Sequence, residues 1–258
     1  MTVLSFYNEV ADDQVIWRYM DFPKFFSLIE NRSLFFCPAY YLKKKEPFEY
    51  EVPVLNAQKS RETISKRLLK SGRDPEAVEK YVDEVLSGVD DIFHWGVSCW
   101  SSNPIESYAL WRTFVTAAEG VAIKSCPARL QWAVKPSHKE FMKVGNVQYL
   151  DHEKDQLEKE LFTQEDRLFH KAKFYEHERE FRIITHPFFD PKQVTFPDSL
   201  EDPKFKESLT VPVVLEELIE EVRVSPYAPK WFYELVRDYV KRARLPAEVV
   251  QSSIRIGS

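Results

Sequence analysis

Glu178, Glu180 and Arg182 occupy alternate positions in "FYEHEREFRII", residues 174–184, with an apolar run at its end. Read as a strand with a two-residue side-chain period, the segment puts both carboxylates and the guanidinium on one face, with Phe181 and Ile183 on the other. Carboxylates two positions apart on a strand stand ~7 Å apart and repel once water is removed; pairing with Arg182 relieves Glu180 of that repulsion. Such a set suits two tasks. A fixed carboxylate lowers the energy of a positive charge developing beside it, and a second one accepts a proton. The competing reading is a salt-bridged solvent face, or an edge strand that carries charge against unwanted pairing.

Two distant segments could complete a site. Arg18 lies in "VIWRYM" between Trp17 and Tyr19 and opens a strand–helix–strand unit. Bracketing by aromatics holds a guanidinium rigid, and a rigid guanidinium grips phosphate at two points. In "GVSCWSSN", Ser98 and Trp100 share one strand face and Cys99 takes the other. A small hydroxyl can bond a ribose or phosphate, and an aromatic ring can stack on another ring. In "ESYALWRTF", helical spacing brings Tyr108 and Trp111 to one face with Val115, where they either fill the core or stack on a ligand. Glu106 falls near that helix's N-terminus, where the dipole favours a carboxylate.

The elements that must position these residues follow from periodicity and caps. Strands are expected at 14–20, 33–39, 95–101, 120–126, 144–150, 178–185, 220–226 and 248–256. Helices are expected at 21–32, with Asp21 as N-cap and Pro23 in the first turn, at 104–116 from Pro104, through the charged stretch 151–173, and at 229–244. Residues 56–93 read as a helical pair, its second member capped by Asp74 with Pro75 at the first position. Pro47 and Pro53 mark an extended stretch, and 190–208 a charged, Pro-rich loop. Together these give one α+β domain over 1–258 on a central mixed or antiparallel sheet, with 56–93 as a helical insertion.

Composition removes several classes of function. The 258 residues are 44% hydrophobic and 14% aromatic with net charge -5, which gives no general reason to bind nucleic acid. Six glycines and the absence of GxGxxG or GxxxxGK[ST] leave no Rossmann or P-loop phosphate cradle. The basic stretches 41–45 and 237–244 read as solvated faces. Cys37, Cys99 and Cys126 lack CxxC spacing, and the six histidines lack ligand spacing, so neither disulfide nor metal is expected and a reducing cytoplasm is. His94 and Cys99 do not share a face as a Cys–His nucleophile would require. No signal peptide and no apolar run near ~18 residues is seen, so no membrane association is expected.

The series "WRYMDFPKFFSLIENRSLFF", "VSCWSSNPIESYALWRTF", "EGVAIKS", "YEHEREFRII" and "LIEEVRVSPYAPKWF" with "VVQSSI" resembles the bacterial domain-of-unknown-function family numbered 2971, from about residue 15 to residue 254. More distantly, Arg18, Ser98 and Glu178–Arg179–Glu180 arrive in the order of the ADP-ribosyltransferases: an Arg on a first strand, a Ser-bearing strand, then an ExE glutamate. The Ser-Thr-Ser form of that pattern is replaced here by "SCWSS". This second resemblance implies a split sheet and NAD as substrate, without a metal. Arg18, Tyr19, Ser98, Trp100, Tyr108, Trp111 and Arg182 would be its binding residues. Glu180 would stabilise an oxocarbenium-like transition state, and Glu178 would orient or deprotonate an unknown acceptor, protein or nucleic acid. Simple NAD hydrolysis is the variant without an acceptor, and a bacterial toxin or phage-defence effector is the implied role. The alternative is a non-catalytic binding or regulatory module with a charged strand face.

Overall fold

The computed structural model describes residues 3–46, 48–87, 95–139, 141–159, 163–186 and 209–256. Pro47, His94, the last residues of the expected insertion and the loop at 190–208 lie outside them. Strands run β1 Ser5–Phe6, β2 Ile16–Asp21, β3 Ser33–Pro38, β4 Gly96–Ser101, β5 Gly120–Ser125, β6 Met142–Asn146, β7 Gln148–Leu150, β8 His170–Ala172, β9 Glu180–Thr185, β10 Leu209–Pro212, β11 Glu221–Val224 and β12 Glu248–Gln251. Among the described residues ten of them form one mixed sheet in the order β1-β6-β9-β4-β2-β5-β11-β12, with β3 and β10 branching from it; β7 and β8 pair separately. The expected α+β class with a mixed sheet is the class observed.

The sheet forks at β4. Along one edge β4 pairs with β9 over its full length, from Gly96↔Thr185 to Ser101↔Glu180. The opposite edge is shared: Val97 and Gly96 pair with Cys37 and Pro38 of β3, whereas β2 meets β4 at the single pair Trp17↔Ser101. From there β2 leads to β5, β11 and β12, and β3 leads to β10. Gly96 sits where the β3 branch closes over β4: a Cβ there would lie 2.7 Å from Leu209 Cδ2 and 3.0 Å from Phe36 Cβ, so only glycine fits without displacement.

Both faces of the sheet are covered, which is why β9 and β5 read as nearly continuous buried segments instead of alternating ones. The largest core lies between the sheet and the helices Phe22–Asn31 and Lys230–Arg242, filled by Phe25, Phe36, Trp100, Phe181 and Phe232. A second cluster holds Tyr50, Val97, Leu168, Phe169 and Ile184. A third holds Trp17, Tyr19, Leu110 and Trp111.

Several expected elements take other forms. Asp21 occupies the N-cap position, but its side chain caps nothing there; it accepts from Thr116 N and Oγ1 at 2.8 and 2.9 Å, tying the end of β2 to the loop before β5. The helix expected from Pro104 begins at Tyr108, capped by Ser107, because Glu106 is drawn into other contacts. The charged stretch 151–173 is not one helix. Its first part offers too few apolar residues to bury a stripe, and Asn56 holds it by bonds to Leu157 N and O. A capping box at Thr163 then starts the short helix Gln164–Leu168, and β8 follows. Helices do span Val54–Lys70 and Pro75–Ser87, the latter with Asp74 accepting from Ala77 N. Among the described residues no helix is long and apolar enough to cross a membrane.

Glu106 is the anchor of the C-terminal segment. It is 7% exposed and accepts from Trp111 Nε1 (3.0 Å), Ser252 Oγ (2.7 Å), Ser253 N and Oγ (both 2.8 Å) and Arg223 Nη1 (3.2 Å). Burial pushes its carboxyl up, but the bonds from Ser252, Ser253 and Trp111 outweigh burial and hold it below the usual range. A carboxyl depressed in the fold adds stability above its unfolded pKa of about 4.3 and loses it as pH falls through the folded value. Glu106→Gln is therefore expected to cost about 1–3 kcal/mol at neutral pH, with the gap to the parent chain narrowing below about pH 4. Urea titrations at pH 7 and pH 3.5 measure both; an equal gap at the two values would contradict the assignment.

Candidate functional site

Where β2 and β3 part along β4 there is a small solvent-open cleft lined by Trp17, Arg18, Tyr19, Cys99, Trp100, Ser101, Phe114, Glu178 and Glu180. Arg18, Tyr19, Trp100, Glu178 and Glu180 are thus brought together from three segments far apart in sequence. Arg18 bridges the fork: its Nη2 donates to Phe35 O on β3 at 3.0 Å, and the guanidinium lies 5.8 Å from the Trp100 ring centre. Among the described residues it has no carboxylate partner. Burial without a counter-charge pushes its pKa down to about 10, so it stays charged at neutral pH and lacks an anion.

The expected strand over 178–185 begins only at Glu180. Residues Lys173–Glu178 form a 3₁₀ turn, and Arg179 has φ 43, a left-handed conformation that ends strand alternation on its N-terminal side. Glu178 reaches the cleft from that turn and not from the strand. Nor is the charged face a solvent face or an edge. β9 lies between β4 and β6, and Glu178, Glu180 and Arg182 are 6%, 5% and 0% exposed.

Burial of this much charge requires compensation. Arg182 donates through Nε to Glu180 Oε1 and through Nη2 to Oε2, both at 2.9 Å, and Nη2 also reaches Glu49 Oε1 at 2.7 Å. Lys171 lies 2.7 Å from Glu178, 2.8 Å from Glu46, 3.5 Å from Glu49 and 3.7 Å from Glu180. Four carboxylates thus surround two cations. Burial raises the Glu49 and Glu178 carboxyls, with their cations only partly offsetting it. Burial also pushes up Glu180, but the two-point contact with Arg182 overrides it and leaves that carboxyl below the usual range. Lys171 is driven up: burial works against its charge, but Glu180, Glu49 and Glu178 outweigh it. Two neighbouring carboxyls with opposite shifts are suited to opposite roles, one a permanent anion and one a proton carrier. The Cys99 thiol is raised by burial and by Glu180 beside it, which makes it a poor nucleophile.

Other expected site residues lie elsewhere. Pairing of Ser101 with Glu180 and Cys99 with Arg182 puts those residues on one face. Ser98 is therefore on the opposite face, fully buried, accepting from Trp100 Nε1 at 3.2 Å; Ser101 takes the cleft position that Ser98 was expected to hold. Arg182 sits behind Glu180 and does not line the cleft. Trp111 is core, packed edge-on to Tyr19 at 5.0 Å. Tyr108 is 53% exposed beside Tyr227, outside the cleft; Phe114 of the same helix lines it instead. Trp17, Cys99, Ser101 and Phe114 in the cleft, and Lys171, Glu46 and Glu49 behind it, were not among the expected site residues. Among the described residues no group of His, Cys, Asp and Glu is arranged to hold a metal ion.

Fold and cleft together define an α+β protein with a forked mixed sheet and a buried, charge-rich site at the fork. Residues 110–183, which include β5, β6, the turn carrying Glu178 and the start of β9 with Glu180, match the family described as "Protein of unknown function (DUF2971)". No curated protein and no solved structure matches the chain. The comparisons do not show the ADP-ribosyltransferase resemblance.

Proposed function

We propose that the chain is an NAD-consuming enzyme, an ADP-ribosyltransferase or NAD glycohydrolase. The observation that carries the proposal is the meeting, at one parting of the sheet, of an anion-free guanidinium (Arg18), a carboxylate held ionised (Glu180) and a second carboxyl with raised pKa (Glu178). In this reading the cleft takes the nicotinamide riboside end of NAD, with a phosphate on Arg18 and the ring among Trp17, Tyr19, Trp100 and Phe114. The bond between ribose C1′ and the pyridinium nitrogen breaks, its electron pair neutralises the leaving nicotinamide, and positive charge develops on the ribose. Glu180, already ionised and fixed by Arg182, stabilises that charge without reorganising. Glu178 takes the proton of the acceptor hydroxyl or water as it attacks C1′. The chain would work in the cytoplasm, where Cys37, Cys99 and Cys126, all unpaired, stay reduced, and a role as toxin or phage-defence effector follows from NAD depletion or target modification.

A second reading, a non-catalytic binding module, is favoured by one observation: both oxygens of Glu180 are already bonded to Arg182, as in a purely structural ion cluster. Incubating purified protein with NAD, with and without cell protein or nucleic acid as acceptor, decides between them. Release of nicotinamide is expected. NAD left intact under all three conditions would favour the second reading.

A further inference from the structure

Arg179 separates the two carboxylates of the cleft, and its backbone is left-handed, at φ 43 and ψ 56. For a residue with a Cβ that conformation is strained, and it persists only where the surroundings impose it. The side chain of Arg179 is exposed and does not account for it. The two flanking peptide units do, since φ and ψ are the angles that orient one unit against the other. In the unit before Arg179, Glu178 O accepts from Ser101 Oγ at 2.8 Å and Arg179 N donates to Glu176 O at 3.2 Å. In the unit after it, Arg179 O accepts from Ser102 N at 2.7 Å and Ser102 Oγ at 2.9 Å, and Glu180 N donates to the Tyr149 hydroxyl at 2.7 Å. Asn103 Nδ2 donates to Ser101 Oγ at 2.9 Å, which leaves the serine proton for Glu178 O. The Ser101 hydroxyl is thus engaged by the turn, although the residue lines the cleft.

We infer that Ser101 and Tyr149 are positioning residues: from the end of β4 and from β7 they hold the peptide units that fix Arg179 left-handed, and so present Glu178 and Glu180 to one cleft. With Arg179 left-handed the chain enters β9 from a 3₁₀ turn, and Lys171 meets Glu178 at 2.7 Å and Glu180 at 3.7 Å. Were Arg179 extended, β9 would run on through Glu178. The two carboxylates would then be spaced by the strand rise at ~7 Å, and the turn that brings Glu178 against Lys171 would be undone. The roles of the two carboxyls rest on the NAD-consuming reading, but the hold on the turn can be tested without turnover.

The test is the titration of Glu178, followed by NMR of its side-chain carboxyl carbon, in the parent chain, Ser101→Ala and Tyr149→Phe. Glu178 is faced by Lys171, Glu180 and Glu46, and burial raises it above the usual range in the parent. Each variant releases one peptide unit, Glu178 turns toward water, and its titration is expected to fall back toward the ordinary value of about 4.3. Adding Arg179→Gly, which takes a left-handed backbone with no Cβ to strain it, is expected to restore the raised titration; a general loss of packing would not be rescued in this way. A Glu178 titration equal in the parent and both variants, or one that Arg179→Gly fails to restore, overturns the inference. Should both variants fail to fold, melting of Arg179→Gly and Arg179→Val, with exchange of the Glu180 amide in the parent, decides. The valine variant must melt at least about 2–4 °C below the glycine variant, and the amide must exchange slowly. Equal melting, or exchange at the rate of an exposed amide, overturns the inference. In a chain that cleaves NAD, kcat is expected to fall up to about 10²-fold in Tyr149→Phe with KM little changed. Titrations that move as expected in a chain that leaves NAD intact would keep this inference and remove the NAD-consuming reading. NAD cleavage with an unmoved Glu178 titration would do the reverse.

Discussion

Replacing Arg182 by methionine is expected to destabilise the chain by about 3–5 kcal/mol at pH 8, a large share of the roughly 5–15 kcal/mol that holds most domains folded. The guanidinium is fully buried and bonds Glu180 and Glu49 together. Without it both carboxylates remain in the interior, and Lys171 is left to face the four acids Glu46, Glu49, Glu178 and Glu180. The sign of the pH dependence follows. Carboxyls stripped of their cation have folded pKa values above the unfolded value of about 4.3, so they carry protons in the fold that the unfolded chain gives up. Their contribution is intact below the unfolded value and is lost as pH rises through the folded one. The variant should therefore regain stability relative to the parent between pH 8 and pH 5. Urea unfolding at both values measures this, and a loss below about 1 kcal/mol, or one that does not shrink on acidification, would mean that the pair is not buried as described.

The largest effect on activity is expected at Glu180. Glutamine keeps its shape and leaves Arg182 paired with Glu49, so Glu180→Gln should still fold. Its melting temperature should be lowered, because a buried carboxylate held below the usual range by Arg182 contributes stability at neutral pH that the amide loses. In the NAD-consuming reading it removes the fixed anion beside the ribose, and kcat should fall about 10²–10³-fold with KM little altered. Glu178→Gln should behave differently. Its carboxyl is raised by burial more than Lys171 lowers it, so the parent's rate should fall on acidification at a pH above the ordinary glutamate value of about 4.3. That acidic limb should vanish in the variant, together with about 10²-fold of the rate. Steady-state nicotinamide release across pH 5–8 separates the two. Full activity in a folded Glu180→Gln would remove the chemical role given to it.

The parts of this arrangement that could be read from the sequence are local. Alternation placed Glu180 and Arg182 on one face of a strand and Ser98 with Trp100 on one face of another, and the run around Arg18 announced β2. What local pattern could not supply was register. Whether Ser98 or Ser101 stands beside Glu180 depends on the pairing Ser101↔Glu180, which is set by how two distant strands meet. The compensation of charge is equally non-local. Glu49 meets Arg182 from 133 positions away, in a turn with no pattern of its own. Lys171 lies on β8, inside a stretch whose charge suggested one continuous helix. Glu178 was placed on the strand because nothing local signals that Arg179 adopts a left-handed conformation, which for a non-glycine residue is settled by its surroundings.

The central claim is that the parting of the sheet between β2 and β4 receives the nicotinamide ribose of a dinucleotide. A crystal structure with an NAD analogue whose ribose–nicotinamide bond cannot be cleaved tests it most directly. The account predicts Glu180 within about 3 Å of a ribose hydroxyl, a phosphate against the Arg18 guanidinium and the nicotinamide ring between Trp100 and Phe114. An analogue bound on another surface, or absent at saturating concentration while the cleft is unobstructed by lattice neighbours, would contradict it.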